Sequence, residues 1–377
     1  MIQKITTVLL LLLLFACSST SMEFRSAKSA ARAEKDLQRG EEWALKALNM
    51  DMEKDNALIP YFLATEIYKP QERWEDMASM LDEAVKRNPG QKLEKPIILD
   101  AKNITKDNIL LTIEQGVGAH REEAWVKLFN QAIELTKAGE DEVALGKLIL
   151  CLKMDSSQPQ TYSALVSYYA EKNDLKAAQN YVDQGLKANK SAALYEIKAK
   201  LLLSDFATSG NKSLLAESES MYLKAMELLS SDTDAIDKLK KQLIFVYIDM
   251  DQTQKAIDIS TALLEKYYDD PDLYFNAAVL YQRLAKQLYE PAADLYNSIN
   301  SGESASNESI KQLYADFIQS KKYATESKQY FLDANDMEIE DTGSREAAME
   351  MRNLIKSLDT FISSTKSIAA DSGINLD

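Results

Sequence analysis

Gly139-Glu140-Asp141-Glu142-Val143-Ala144-Leu145-Gly146-Lys147-Leu148-Ile149-Leu150-Cys151-Leu152 lies over Asn173-Asp174-Leu175-Lys176-Ala177-Ala178-Gln179-Asn180-Tyr181-Val182-Asp183-Gln184-Gly185-Leu186 at an offset of 34 residues, without a gap. Gly139 and Asn173 open the two stretches, and both types tolerate the left-handed backbone of a tight turn. Ala144 pairs with Ala178, Leu148 with Val182, Cys151 with Gly185 and Leu152 with Leu186. Small residues held at one spacing let two helix backbones approach closely where they cross. A slip of one residue would turn that small face by about 100° and spoil the crossing.

The pattern resembles the tetratricopeptide repeat, a helical hairpin with a period of about 34 residues. The family keeps small residues at its eighth, twentieth and twenty-seventh positions and large apolar ones at the fourth, seventh, eleventh and twenty-fourth. Carried outward, the resemblance yields seven units. The first, 21–54, is degenerate, with Ala47-Leu48 near its end. The second, 58–91, has Tyr61, Ala64, Tyr68, Leu81, Ala84 and Pro89. The third and fourth, 125–158 and 159–192, contain the founding pair. The fifth, 193–232, carries extra residues around Ser209-Gly210-Asn211. The sixth, 237–270, has Ile244, Tyr247 and Ala256; the seventh starts at Pro271, with its second helix delayed to 320–334. The implied fold is all-α: a right-handed tetratricopeptide-like superhelical solenoid of about seven hairpins with a C-terminal capping helix.

Two stretches depart from the period. Residues 92–124 are read as an inserted helical extension of the third unit, with Thr105 capping a helix start and Gly116 and Gly118 marking a kink. An insertion at 287–320 lengthens the seventh hairpin around Asn300-Ser301-Gly302-Glu303-Ser304. The expected organisation is therefore repeats over 24–91, the extension at 92–124, repeats over 125–341, and a capping helix and tail over 342–377.

The first residues read differently. Lys4 precedes the apolar run Val8 to Phe15, too short to span a bilayer and the length of an export signal. Leu14-Phe15-Ala16-Cys17 resembles the bacterial lipobox, with Phe15 departing from its usual small or β-branched residue. The resemblance implies a signal peptide over 1–16, lipidation (palmitate) of Cys17 and a tether over 17–23. No acidic residue follows Cys17, which by the enterobacterial sorting rule implies a periplasm-facing anchor in the outer membrane.

The chain has 377 residues, only 11 Gly and 7 Pro, and a net charge of -15. Few turn formers favour long helices, and the acidic surface disfavours nucleic acid as a partner. His120, the single histidine, rules out a histidine-rich metal site; beside Arg121, Glu122 and Glu123 it reads as an exposed helix residue. Gly116-Val117-Gly118 lacks the third glycine of a dinucleotide loop, and the acidic runs near Asp51 and Asp333 lack the glycine of a calcium loop. Cys151 falls at a buried small position and reads as a core thiol. The expectation is no enzyme, no cofactor and no metal.

Binding is the supported class. In the family, first-helix positions two, five, six and nine face a concave groove. Here they supply Phe62, Phe129, Asn130, Ile133, Phe245, Phe275, Asn276 and Val279. The phenylalanines serve equally well as groove anchors or as packing between units, and both readings stand at this point. Lys238 and Lys241 fall on the same face, where a solvated surface is the plainer reading. The sequence thus points to a lipid-anchored scaffold for a protein or peptide partner in the cell envelope. A carrier holding a small ligand or lipid in a helical cavity is the alternative.

Overall fold

The structure is a computed structural model that describes residues 20–100, 102, 105–337 and 343–376; Cys17 and the signal peptide expected over 1–16 lie outside the described residues. It is built from antiparallel helical hairpins of the tetratricopeptide type. The chain divides into two compact units between Lys190 and Ser191.

The first unit holds four hairpins. Helix α1 (Met22–Ser29, continued through Ala30–Glu34) pairs with α2 (Leu37–Leu48). Helix α3 (Leu58–Phe62, continued through Leu63–Tyr68) pairs with α4 (Trp74–Arg87). Then α5 (Ile113–Lys137) pairs with α6 (Asp141–Met154), and α7 (Pro159–Glu171) with α8 (Leu175–Ala188). In the second unit α9 (Ala192–Ser209) pairs with α10 (Ser213–Leu228), and α11 (Thr233–Asp249) with α12 (Thr253–Leu264). The last hairpin is long, α13 (Pro271–Asn300) against α14 (Asn307–Met337), and α15 (Ser344–Asp371) closes on α14.

Every hairpin turns through a residue with positive φ: Lys35, Glu72, Gly139, Asn173, Gly210, Asp251 and Gly302. That conformation lets the outgoing chain cap the helix it leaves. Glu140 N donates to Leu135 O at 2.9 Å, Asp174 N to Tyr169 O at 2.8 Å and Gln252 N to Tyr247 O at 2.8 Å. The next helix is capped from the same turn, as when the Asp174 carboxylate accepts from Ala177 N. Turn and cap are thus one device, repeated along the chain.

Small side chains sit where the helices cross. Ala144, Ala178 and Ala256, which occupy the twentieth position of their units, are all buried, as are Cys151 and Gly185. In the second unit serines share this role and add a hydrogen bond. Ser218 donates to Ala199 O at 3.0 Å, Ser327 to Ala278 O at 2.8 Å and Ser320 to Ala285 O at 2.8 Å, all buried. The last two pairs are seven residues apart on each helix, so the long hairpin is zipped along one face. Phe317, Phe331, Met351 and Leu358 fill the core between α13, α14 and α15.

Residues 92–112 differ from the expected helical extension. Strand β1 (Lys92–Ile98) pairs antiparallel with β2 (Ile109–Thr112), interrupting the repeats with a small sheet. Thr105 does cap, but only the short turn Lys106–Asn108. The long helix starts later, at Ile113, where the Thr112 hydroxyl accepts from Gln115 N and the Gln115 side chain accepts from Thr112 N. The helix then runs through Gly116 and Gly118 to Lys137 as a single element.

Gly139 has φ +78° and open space around its missing Cβ, so a side chain there meets backbone strain and nothing else. Gly139→Val should lower stability by about 1–2 kcal/mol. Asn173→Gly, which relieves a non-glycine φ of 59°, should leave it equal or slightly raised. Thermal melts of the two variants beside the parent check both signs.

Candidate functional site

The sheet roofs a cavity in the first unit. Strand β1 lies against the first helices of the first two hairpins. Beneath it is a cavity of about 430 Å³, walled by Phe24, Leu58, Tyr61, Phe62 and Leu93, with Arg32, Glu66 and Glu94 at its polar side. Glu94 holds the strand down: its carboxylate accepts from Lys28 Nζ at 2.6 Å and from Arg32 Nη2 at 2.9 Å. Arg32 is gripped in turn by Glu66 through two bonds of 2.6 and 2.8 Å, which raises the guanidinium pKa further. Burial pushes the Glu94 carboxyl up, but the hydrogen bonds from Lys28 and Arg32 outweigh it and hold the group below its usual value.

The base of the sheet is fixed by backbone and amide groups. Gln91 accepts from Ala57 N at 2.7 Å through Oε1 and donates to Asn56 Oδ1 at 2.9 Å, while its carbonyl accepts from Ile113 N at 2.9 Å. Gly116 is required by close approach: a Cβ there would stand 2.7 Å from the Tyr61 hydroxyl and 3.2 Å from the Leu93 methyls. Tyr61 also covers His120, with ring centroids 5.7 Å apart. His120 is therefore not the exposed residue its charged neighbours suggest. Its ring is largely buried; burial and the nearby Lys69 ammonium, 3.2 Å from Nδ1, depress its pKa and keep the imidazole neutral.

The eight groove residues named from sequence fall into two groups. Phe62, 2% exposed, packs edge-on to Phe24 with centroids 5.6 Å apart, so it is a core residue at the cavity wall rather than an open anchor. Phe129 stacks on Trp125 at 5.2 Å, and Phe275 meets Phe331 edge-on at 5.5 Å. Ile133 and Asn276 are half-buried and Asn130 is exposed. Phe245 and Val279 remain open, 49% and 38% exposed, at equivalent positions on the first helices of the last two hairpins. Beside Val279 a shallow hollow of about 350 Å³ is lined by Gln282, Arg283, Lys286, Gln287 and Glu290. Lys286 and Gln282 reach Glu350 at 2.8 and 3.2 Å, and Arg283 pairs with Asp251 and donates to Ile248 O at 3.1 Å. Lys241 is not free either: it pairs with Asp270 at 2.5 Å.

The Cys151 thiol is enclosed, with its pKa pushed up by burial to about 12, as a core thiol requires. Among the described residues no group of three or more His, Cys, Asp or Glu is placed to hold a metal ion, and no helix is long and apolar enough to cross a membrane. The strand roof was missed from sequence, although Gln91, Gly116 and the Lys92–Glu94 charges were visible.

No protein-family model matches the chain, and no curated protein matches it. Among solved structures it is similar to one described as a functional characterization of Pseudomonas aeruginosa pilF, at 17% identity over 58% of this chain and 97% of that one, with a TM-score of 0.37. It is also similar to YrrB, a TPR protein described as having an unusual peptide-binding site, at 16% identity over 60% and 90% of the two chains, TM-score 0.39. A third is the C-terminal part of a TPR repeat-containing protein from Cytophaga hutchinsonii, at 12% identity over 86% and 98%, TM-score 0.40.

The Glu94 clamp has a pH dependence. A carboxyl held below its usual 4.5 contributes fully above that pH, and the contribution is lost as pH falls through the lowered value. Protection factors across Lys92–Ile98, corrected for the intrinsic slowing of amide exchange in acid, should therefore fall as pH drops below the usual carboxylate range. Glu94→Gln should produce the same loosening at neutral pH, at a cost of about 0.5–1 kcal/mol because both ion pairs are part-exposed. Hydrogen-exchange mass spectrometry reads both.

Proposed function

We propose that this chain is a non-catalytic scaffold that binds a protein or peptide partner, held at the bacterial cell envelope by a lipid on Cys17. The observation that carries the binding role is the pair Phe245 and Val279. They are large apolar side chains left in water at equivalent positions on consecutive first helices. Their neighbours on the same helices are buried: Ile244 and Val246 beside Phe245, Ala278 and Leu280 beside Val279. An isolated exposed apolar residue is ordinary, but two in register on successive repeats form the anchors of a stripe. Gln282 and Lys286 add polar contacts along the rim.

The envelope location rests on the first residues of the sequence alone, through Ser18-Ser19. Leu14, Ala16 and Cys17 supply the lipobox pattern, and the outer membrane is the inner or outer choice that the sorting rule favours. An acylated N-terminus holds an acidic body at a surface it would otherwise avoid.

A carrier role is favoured by one feature, the cavity under β1. Its volume of about 430 Å³ falls in the range of small-ligand sites, and its walls set the apolar Phe24, Leu58, Phe62 and Leu93 against the charged Arg32, Glu66, Glu94 and Lys95. Native mass spectrometry of the purified protein should then reveal a co-purified small amphipathic molecule; a bare chain mass argues for the scaffold alone.

Cross-linking in envelopes followed by affinity capture tests the scaffold directly. Phe245→Asp with Val279→Asp should remove a recurrent partner by about tenfold or more, as loss of two central anchors does. Unchanged recovery would refute the stripe as the binding face. Cys17→Ala should abolish acyl labelling and release the protein from membranes, whereas unlabelled parent protein that still sediments with membranes contradicts the anchor.

A further inference from the structure

The β1–β2 hairpin turns an apolar face to solvent. Ile98 lies opposite Ile109, and Leu111 follows Ile109 by two residues, so the three share one face; Pro96 joins them two residues before Ile98. Ile97 and Leu110, on the opposite face, are half-buried. On the first face Ile98 is 48% exposed and Leu111 49%. An antiparallel sheet with one covered side ordinarily alternates apolar inward with polar outward. Here the outer side is apolar as well. Leu99 belongs to the covered side, one step past Ile97, yet it is among the most exposed apolar residues of the unit; by that point the hairpin has run past what covers it.

The base of the hairpin is tied to the place where the chain before Thr20 joins the fold. Ser21 is buried, and its backbone N donates to Glu53 Oε1 at 2.6 Å. The other Glu53 oxygen accepts from Asn56 Nδ2 at 2.7 Å, and Asn56 Oδ1 accepts from Gln91 Nε2 at 2.9 Å. Gln91 leads into β1, and its carbonyl accepts from Ile113 N, the residue directly after β2. One chain of hydrogen bonds therefore joins the entry of the chain to both strands. Four residues separate Cys17 from Ser21, a reach of at most about 14 Å. Met22, the first residue of α1, stands 71% exposed at the same end.

The charges along the hairpin have the opposite sign to the rest of the protein. Lys92, Lys95, Lys102 and Lys106 are exposed against Asp100 and Asp107, while Glu94 is paired with Lys28 and Arg32. The chain as a whole carries a net charge of -15. A basic, apolar surface on an acidic body, tethered at its own base, fits an anionic lipid surface.

We infer that the outer face of β1–β2 rests on the membrane, with Ile98, Leu111 and Met22 entering the headgroup region and the hairpin lysines meeting anionic headgroups. The inference rests on the reading of Cys17 as lipidated, which brings a bilayer to this end of the unit. The anchor alone sets a distance from the membrane; the hairpin face adds an orientation, and the acidic remainder of the body is repelled outward.

The test uses the acylated full chain in vesicles of phosphatidylethanolamine and phosphatidylglycerol. Single variants Ile98→Cys and Leu111→Cys carry an environment-sensitive thiol dye, with Val143→Cys, an exposed site on α6, as control. The buried Cys151 thiol, with its pKa near 12, does not compete for the dye. Sedimentation of the same samples reads the anchor. The dyes at 98 and 111 should shift to the blue on vesicles and be quenched by spin-labelled lipid, and the dye at 143 should do neither. Omitting phosphatidylglycerol should shrink the shift about twofold or more, as loss of the attraction between lysines and anionic headgroups does. Protein that sediments with vesicles while the dyes at 98 and 111 stay as in solution overturns the inference and leaves the anchor standing. Protein that does not sediment removes the anchor and this inference together. A shift that grows with the protein-to-lipid ratio means that a second copy covers the face, and an equal shift at 143 means that lipid does not select it; either result also overturns the inference.

Discussion

The close approach of paired helices is the constraint from which the rest of this structure follows. Two helix backbones come near enough to share a core only where the side chains between them are small, and the chain supplies alanine, glycine, cysteine or serine at those points. Ala144 and Ala178 do this in the first unit; Ala256, and Ala285 against Ser320, do it in the second. Serine serves because its hydroxyl does not have to find water: it donates to a carbonyl of the facing helix, so the polar atom is buried at little cost. A larger residue at such a point forces the helices apart, and interiors packed this densely have no room to absorb the shift.

Crossing points fix the distance between helices; the turns fix their register. A left-handed residue at each turn swings the chain back within a few residues, and the same turn caps both helices. That is why the hairpins were legible from Gly139, Asn173 and the buried alanines alone, with a spacing that admits no slip. The insertion in the last hairpin was legible for a related reason. Its added residues keep helical periodicity on both sides of Asn300-Ser301-Gly302, and the turn is where the polar, flexible residues gather.

The sheet at 92–112 was not legible, and the cause is physical. Lys92-Leu93-Glu94-Lys95-Pro96 carries a proline and three charges, a poor strand by its own composition. Ile109-Leu110-Leu111 is a short apolar run of the kind that local pattern cannot assign to helix or strand. What makes these segments pair is distant in sequence: Lys28 and Arg32 on Glu94, Ala57 and Asn56 on Gln91, and Tyr61 sharing the cavity wall with Leu93. The same blindness misplaced His120, whose neighbours along the chain are charged but whose neighbour in space is Tyr61. Phe62 is the mirror case. Its position on a first helix marks it for an open face, and a ring from the preceding hairpin, Phe24, closes that face.

The two units consequently offer partners different opportunities. In the first, the helix face lined by Arg32, Phe62 and Glu66 is already occupied by β1, a segment of the same chain. A strap tethered at both ends acts at a high effective concentration, so a competing segment binds that face only in the fraction of molecules where the strap is open. In the second unit Phe245 and Val279 have no such cover. Exposed apolar area that the chain's own core cannot use is free to contribute its whole transfer free energy to association, less the cost of ordering the partner. Repetition of one hairpin thus builds similar frames, and a single non-helical insertion decides on which of them the first-helix face stays open.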